Sequence, residues 1–387
     1  MLAGLSPLLK PLSPSLIRLD HIFDFYDIYR PGQPPDFSRL DQVVNEITLS
    51  GATPFFSLSY TPSGMGDDLV SPPHDWQTWQ DLVAATISHY SGRSQKNLKN
   101  VYYEVWNEPD LFGAWHYGKD PNYLTLYWHS AKAAQKAAPT CQPFKFGGPA
   151  TTDFYPNWIK ALVKFTSKNQ LPLDFISWHQ YSKQAKDYQK NFSKLADILT
   201  DYPALFNVER LITELGPDSE PHSSYDNHLS GIHLISLSTQ LINQVHRLFS
   251  FEIKDGPNPR SKNSTGWGLL TYQNQPKPRY KAIKFLNQLQ GQQLPLEGQG
   301  SHVTAIATKT DSDQIQLLAV NWDPQNRYSE TSPLIFQNLS YYQYRLTVTE
   351  YPSGRTRTQD LTPQNHELRQ MFFFAPNTAY LLTLSPL

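Results

Sequence analysis

Through its first 290 residues the chain alternates between two polarity periods. Short apolar runs with β-branched and aromatic side chains occupy 16–20, 54–60, 101–106, 144–148, 175–178, 211–213 and 248–253, and they read as strands. Between them apolar residues recur every three or four positions. Leu40, Val43, Val44 and Ile47 mark a helix over 37–50, with Gly51 as its stop. Trp76, Trp79, Val83, Ile87 and Tyr90 mark another over 75–90. Asp120 and Pro121 predict the cap and first turn of a third helix, ended by Pro139. Further helices are expected over 231–246 and 280–289. Strands alternating with helices predict an α/β domain with a parallel sheet.

Past a Gly- and Gln-rich stretch the helical period disappears. Val303, Ala305 and Ala307, then 315–320, then Tyr344, Leu346 and Val348, then 371–374 and 380–384, read as short strands separated by turn residues. The expected organisation is a barrel over 1–290, a linker over 291–299 and an antiparallel β-sandwich over 300–387.

Candidate chemistry collects where the predicted strands end. In 101–110, Val101, Tyr103 and Val105 alternate with Tyr102, Glu104 and Trp106. Pro109 has no N–H to give and biases Glu108 away from helix, so pairing should stop there. Glu108 is thereby left at a strand's C-terminal end, where parallel barrels carry their chemistry. The run 211–213 likewise delivers Glu214, and 175–178 delivers His179 and Tyr181. Arg18 and Asp20 share one face of the first strand. Blander roles fit the same residues: Arg18 as a buried salt bridge to Asp20 or Asp24, His179 as a core histidine, Trp267 as a cover for the barrel mouth, and Glu214 as part of a surface turn.

Composition narrows the classes. The 33 basic and 34 acidic side chains give a net charge of −1, which offers no electrostatic reason to expect nucleic acid or an anionic membrane. Cys141 is the only cysteine, so neither an intrachain disulfide nor a thiolate metal site is expected. The 12 histidines show no metal-ligand spacing, and no apolar run approaches the ~18 residues of a membrane span. The start of the chain lacks the pattern of a signal peptide.

Taken together, Glu104-Val-Trp-Asn-Glu-Pro109, Gly147-Gly-Pro-Ala150, Ile176-Ser-Trp-His-Gln-Tyr181, Ile212-Thr-Glu-Leu-Gly216 and Gly266-Trp-Gly-Leu-Leu-Thr271 resemble, in order and spacing, glycoside hydrolase family 39, the family of β-xylosidases and α-L-iduronidases. The resemblance implies a TIM-type (β/α)8 barrel of a retaining glycosidase with a β-sandwich accessory domain, a glycoside or oligosaccharide substrate and no cofactor. Mapped position by position, it makes Glu108 the acid/base, Glu214 the nucleophile and Arg18 the family's strand-two arginine. It makes His179 and Tyr181 the strand-six pair, with Asn107 on the sugar 2-hydroxyl. Asp20, His21 and Trp267 are further expected sugar contacts. Arg18, aided by the Tyr181 hydroxyl, is expected to keep Glu214 ionised while like charge and desolvation favour the acid form of Glu108.

In that register residues 16–20 correspond to the second barrel strand. The first strand is therefore expected to be missing, and upstream coding sequence is expected to raise the melting temperature. Two positions depart from the family pattern. Asp20-His21 stands for His-Gly, and Phe251-Glu252 stands where a Trp is usual, so the sugar is not carried over with the family.

Overall fold

The computed structural model describes residues 4–257 and 266–387. All seven predicted strands form: β1 Leu16–Leu19, β2 Thr53–Leu58, β3 Val101–Val105, β4 Phe144–Thr151, β5 Phe175–Tyr181, β6 Glu209–Gly216 and β7 Arg247–Ser250. They make one parallel sheet in chain order, and among the described residues no strand precedes β1. Ahead of it the chain makes a helical turn, α1 Ser6–Leu9, whose Leu9 is buried. The interleaved helices are α2 Ser38–Leu49, α3 Trp76–Ser91, α4 Tyr123–Ala137, α5 Pro156–Asn169, α6 Ala185–Leu199, α7 His228–Leu241 and α8 Pro278–Leu286.

Alternation along the strands decides what lies inside the sheet. Phe55, Tyr102, Phe175 and Leu211 form one buried cluster, with Leu16 and Phe249 packed against it. The rings of Phe55 on β2 and Phe249 on β7 lie 5.1 Å apart, so the sheet rolls into a nearly closed barrel. Each such side chain contributes ~1.5–3 kcal/mol by leaving water. Tyr103 has the opposite parity and faces out, its hydroxyl 2.9 Å from Ser91 of α3. Gly147 allows β4 to approach β5 closely, since a Cβ there would lie 2.2 Å from the Phe175 carbonyl oxygen.

The helices differ from the predicted ones in where they begin and end and in how many there are: α7 and α8 are shifted from the expected 231–246 and 280–289. Helix α4 is capped by Asn122, whose Oδ1 accepts from Leu124 N at 3.1 Å, two residues beyond the predicted Asp120. Helices α5 and α6 were not anticipated, although Leu162, Val163 and Thr166 give α5 a buried stripe.

The C-terminal strands are β8 Gln292–Leu294, β9 Val303–Lys309, β10 Ile315–Asn321, β11 Glu330–Phe336, β12 Tyr344–Tyr351, β13 Thr356–Leu361, β14 Leu368–Phe374 and β15 Thr378–Pro386. A six-stranded sheet in the order β13-β12-β15-β10-β9-β8 and a two-stranded β11-β14 sheet enclose a core that includes Leu317, Phe336, Leu346, Phe374 and Leu382. Strand β8 comes from the stretch read as a linker and pairs antiparallel with β9.

The chain divides into two compact units. One holds the chain up to Gln180 with Tyr188–Leu215 and Gln244–Phe249. The other holds Tyr181–Asp187, Gly216–Asn243 and Ser250–Leu387, so α7 and α8 are counted with the sandwich. No helix among the described residues is long and apolar enough to cross a membrane.

Candidate active site

The inward parity of β1 that packs Leu16 against the barrel cluster also points Arg18 into the barrel, where only 7% of its side chain is exposed. A guanidinium has three nitrogens in a fixed fork, and each finds a different acceptor. Nε donates to Glu104 at 2.7 Å, Nη2 to Asn107 Oδ1 at 2.7 Å and Nη1 to Glu214 at 3.1 Å. Burial opposes the Arg18 charge, but Glu104, Glu214 and Asp20 hold it more firmly protonated than usual. Asn107 is fixed from its other end, donating from Nδ2 to the Tyr60 hydroxyl at 2.8 Å.

Glu108 follows in a tight turn. Trp106 and Glu108 adopt positive φ, 70° and 46°, a conformation that costs a residue with a side chain. The Glu108 N–H donates to Ala150 O at 2.9 Å, tying the turn to the end of β4. The His179 imidazole, fully buried on β5, lies 2.8 Å from Glu108 and 3.5 Å from Glu214 through the same Nδ1. Its Nε2 has no partner among the described residues, so Nδ1 carries the proton and donates to Glu108. Burial works against a charged His179, yet Glu214 and the bond to Glu108 raise its pKa above the ordinary value. Burial likewise raises Glu214, and His179 and Arg18 offset this only in part. Arg18, expected from the sequence to keep Glu214 ionised, does favour the charged form, but desolvation is the larger effect and the carboxyl stands above its ordinary value.

One carboxylate oxygen each from Glu108 and Glu214 and a nitrogen of His179 lie within 4.8 Å of one another. Such a trio could ligate a cation, but Arg18 already sets a positive charge 3.1 Å from Glu214, and a second would be repelled. At the rim, His21 Nδ1 lies 2.9 Å from Asp24, and its ring meets Tyr60 edge-on at 4.6 Å. Asp20 acts on Arg18, His21 and Glu214 through its charge.

Of the expected residues the structure thus brings together Arg18, Asn107, Glu108, His179 and Glu214, with Asp20 and His21 alongside. Tyr181 and Trp267 belong to the other compact unit, where Trp267 packs edge-on against Phe251 at 5.6 Å. Glu104 and Tyr60 were missed as site residues. The signal for Glu104 was present: it is a charged residue at an inward position of an otherwise apolar strand.

Two carboxylates and a histidine thus stand together at the C-terminal ends of parallel barrel strands, the end at which such barrels carry their chemistry. The chain belongs to the glycosyl hydrolases family 39, whose pattern matches residues 17–218. It is 25% identical over 296 residues to a beta-xylosidase of Geobacillus stearothermophilus, an alignment spanning 68% of this chain and 58% of that protein. It is 24% identical over 330 residues to a beta-xylosidase of Caldicellulosiruptor saccharolyticus, spanning 78% and 66%. The chain thus aligns with less than two thirds of either relative's length. A monomeric beta-xylosidase from Caulobacter crescentus shares the fold with a TM-score of 0.83 at 20% identity, covering 100% of this chain and 92% of that one.

Proposed function

We propose that this glycoside hydrolase works by double displacement with retention, Glu214 being the nucleophile and Glu108 the acid/base. The observation that carries the reading is the separation of the two carboxylates, within 4.8 Å at their nearer oxygens. Retaining enzymes set their carboxyls ~5–5.5 Å apart, whereas inverting ones leave ~6.5–9.5 Å for a water. Glu214 attacks the anomeric carbon while the bond to the leaving oxygen breaks and Glu108 gives that oxygen its proton. Glu108, now a carboxylate, takes a proton from water, whose oxygen displaces Glu214 from the sugar. Arg18 orients Glu214 and, through Asn107, the amide that meets the sugar 2-hydroxyl. His179 donates to Glu108 and follows its change of charge. The two curated relatives are both named beta-xylosidase, which makes a β-xylosyl unit the first substrate to offer.

The test is a panel of aryl glycosides with Glu108→Ala and Glu214→Ala. An activated aryl leaving group needs little acid help, so Glu108→Ala should form the glycosyl-enzyme and stall, with turnover ~10²–10⁴-fold lower. Azide should rescue that variant to a product of retained configuration and rescue Glu214→Ala to one of inverted configuration. Rescue with the configurations exchanged would reverse the two roles. A folded wild-type protein silent on the whole panel would favour a sugar-binding barrel without turnover.

A further inference from the structure

Arg18 joins Glu214 to a second carboxylate, Glu104 of β3, that takes no part in bond-making. The Glu104 side chain is wholly buried, and its Oε2 accepts from Arg18 Nε at 2.7 Å. Its other oxygen, Oε1, has no hydrogen-bond partner among the described residues, and Arg18 is its one ion-pair partner there. A buried carboxylate with a bare oxygen costs stability. Holding a guanidinium in place does not require one, since an amide oxygen would accept from Nε as well. What an amide would not supply is the charge.

That charge has a use when Glu214 changes state. Before reaction Arg18 lies between two carboxylates, Glu104 at 2.7 Å and Glu214 at 3.1 Å. Once Glu214 has joined the anomeric carbon it is an ester without charge. Arg18, with 7% of its side chain exposed, then keeps Glu104 as its only ion-pair partner among the described residues. Without Glu104 the guanidinium would be an uncompensated buried cation in the glycosyl-enzyme, and in the free enzyme it would favour the unreacted, ionised Glu214 too strongly. The other charged groups that act on Glu214 are His179 on β5, Glu108 after β3 and Asp20 after β1. None of them hydrogen-bonds to Arg18, whose three bonds go to Glu104, Glu214 and Asn107.

We propose that Glu104 is a positioning residue that acts through Arg18 as its permanent counter-ion, drawing the guanidinium charge away from Glu214 so that the carboxylate stays nucleophilic and the covalent intermediate stays charge-balanced. The proposal rests on Glu214 being the nucleophile of a double displacement.

The test uses a dinitrophenyl β-xyloside in which fluorine replaces the 2-hydroxyl. Fluorine disfavours the oxocarbenium-like transition states of both half-reactions, and the activated leaving group speeds the first, so the glycosyl-enzyme accumulates. Loss of activity on mixing reads its formation, and return of activity once excess reagent is removed reads its hydrolysis. In Glu104→Gln, a change of charge at nearly constant shape, formation should be about tenfold slower, whereas hydrolysis, which restores the Glu214 charge beside Arg18, should be no slower than in wild type. The acid limb of the formation rate should move about one pH unit lower, because an unshared Arg18 favours ionised Glu214. Glu104→Asp keeps the charge one methylene further back and should fall between the two in both readings, so it carries the test if Glu104→Gln misfolds. An equal loss in both half-reactions overturns the proposal, as does an acid limb that stays in place or moves up; mere displacement of Arg18 would produce either. Peptide masses of the trapped wild-type protein separate the two failures, since a label on a residue other than Glu214, or no label at all, counts against the nucleophile assignment itself.

Discussion

Arg18 reaches partners 86, 89 and 196 positions away in the chain, and that separation explains what the sequence could and could not tell. Its place on a strand face was legible from the alternation of Leu16 and Arg18. The choice between a local pair with Asp20 or Asp24 and a network across three strands depends on register and rolling, which local pattern does not encode. Because Glu104 is wholly buried, Arg18→Met strands a charge and should cost ~3–5 kcal/mol of stability, read by urea unfolding followed on tryptophan fluorescence. Arg18→Met with Glu104→Leu removes both charges of that pair and should recover most of the loss, with activity still absent because Glu214 and Asn107 lose their anchor. Recovery of activity would remove Arg18 from the proposed mechanism. A second test at this scale concerns pH. Glu214 must be ionised to attack, and its pKa is raised, first by burial. The acid limb of kcat/KM should therefore lie above the ordinary glutamate value, rate being lost as pH falls through it. A limb at or below the ordinary value would mean that Arg18 and His179 outweigh desolvation after all. Stability, unlike this activity limb, is lost on the alkaline side, and His179 shows why. Its raised pKa gives stability that is fully present below the ordinary histidine value and lost as pH rises through the native one. His179→Asn should flatten the decline of unfolding free energy above about pH 6.5.

At the scale of elements, helix α3 was legible because its apolar positions recur at the helical period, through Trp79, Val83, Ile87 and Tyr90. Strand β3 is buried at every position and showed itself as a short β-branched and aromatic run. Strand β13 is exposed at almost every position, so no hydrophobic period marked it, and its partner β12 alone revealed the local sheet. The cap of α4 was misplaced for a chemical reason. Asp120-Pro121 has the right residue types for a helix start, yet Asn122 is the residue whose side chain meets an N–H of the first turn. Asn122→Ala should therefore cost about 1 kcal/mol while Asp120→Ala costs little; equal losses in thermal unfolding would restore the earlier start. The loop after β1 offers a further test. His21 stands at φ 54°, a backbone suited to glycine, where the family pattern has glycine. His21→Ala and His21→Gly both lose the bond to Asp24, but only alanine keeps the backbone cost. Glycine should be the more stable of the two by ~1 kcal/mol. Equal stabilities would mean that the loop relaxes once the imidazole is gone.

At the scale of the whole molecule, the seven strands and the change of period near residue 290 were readable because each strand carries its own apolar run. Which segments count with which compact unit was not, since α7 and α8 precede the change of period yet are grouped with the sandwich. Charge is the other whole-molecule property, and it bears on the substrate. With 33 basic and 34 acidic side chains the protein has almost no net field to steer an ionic ligand at a distance. Inside the site the strong charges are committed to one another, Arg18 to Glu104 and Glu214, and His179 to Glu108. Charges this close and this buried are little screened by added salt. For a neutral glycoside, kcat/KM should then change by less than about twofold between roughly 50 and 500 mM sodium chloride, since neither encounter nor the catalytic ion pairs depend on screening. A steep fall with salt on a uronic-acid-bearing glycoside, set beside a flat profile on the neutral one, would show that the enzyme draws in an anionic saccharide, and would direct the substrate search away from neutral β-xylosides.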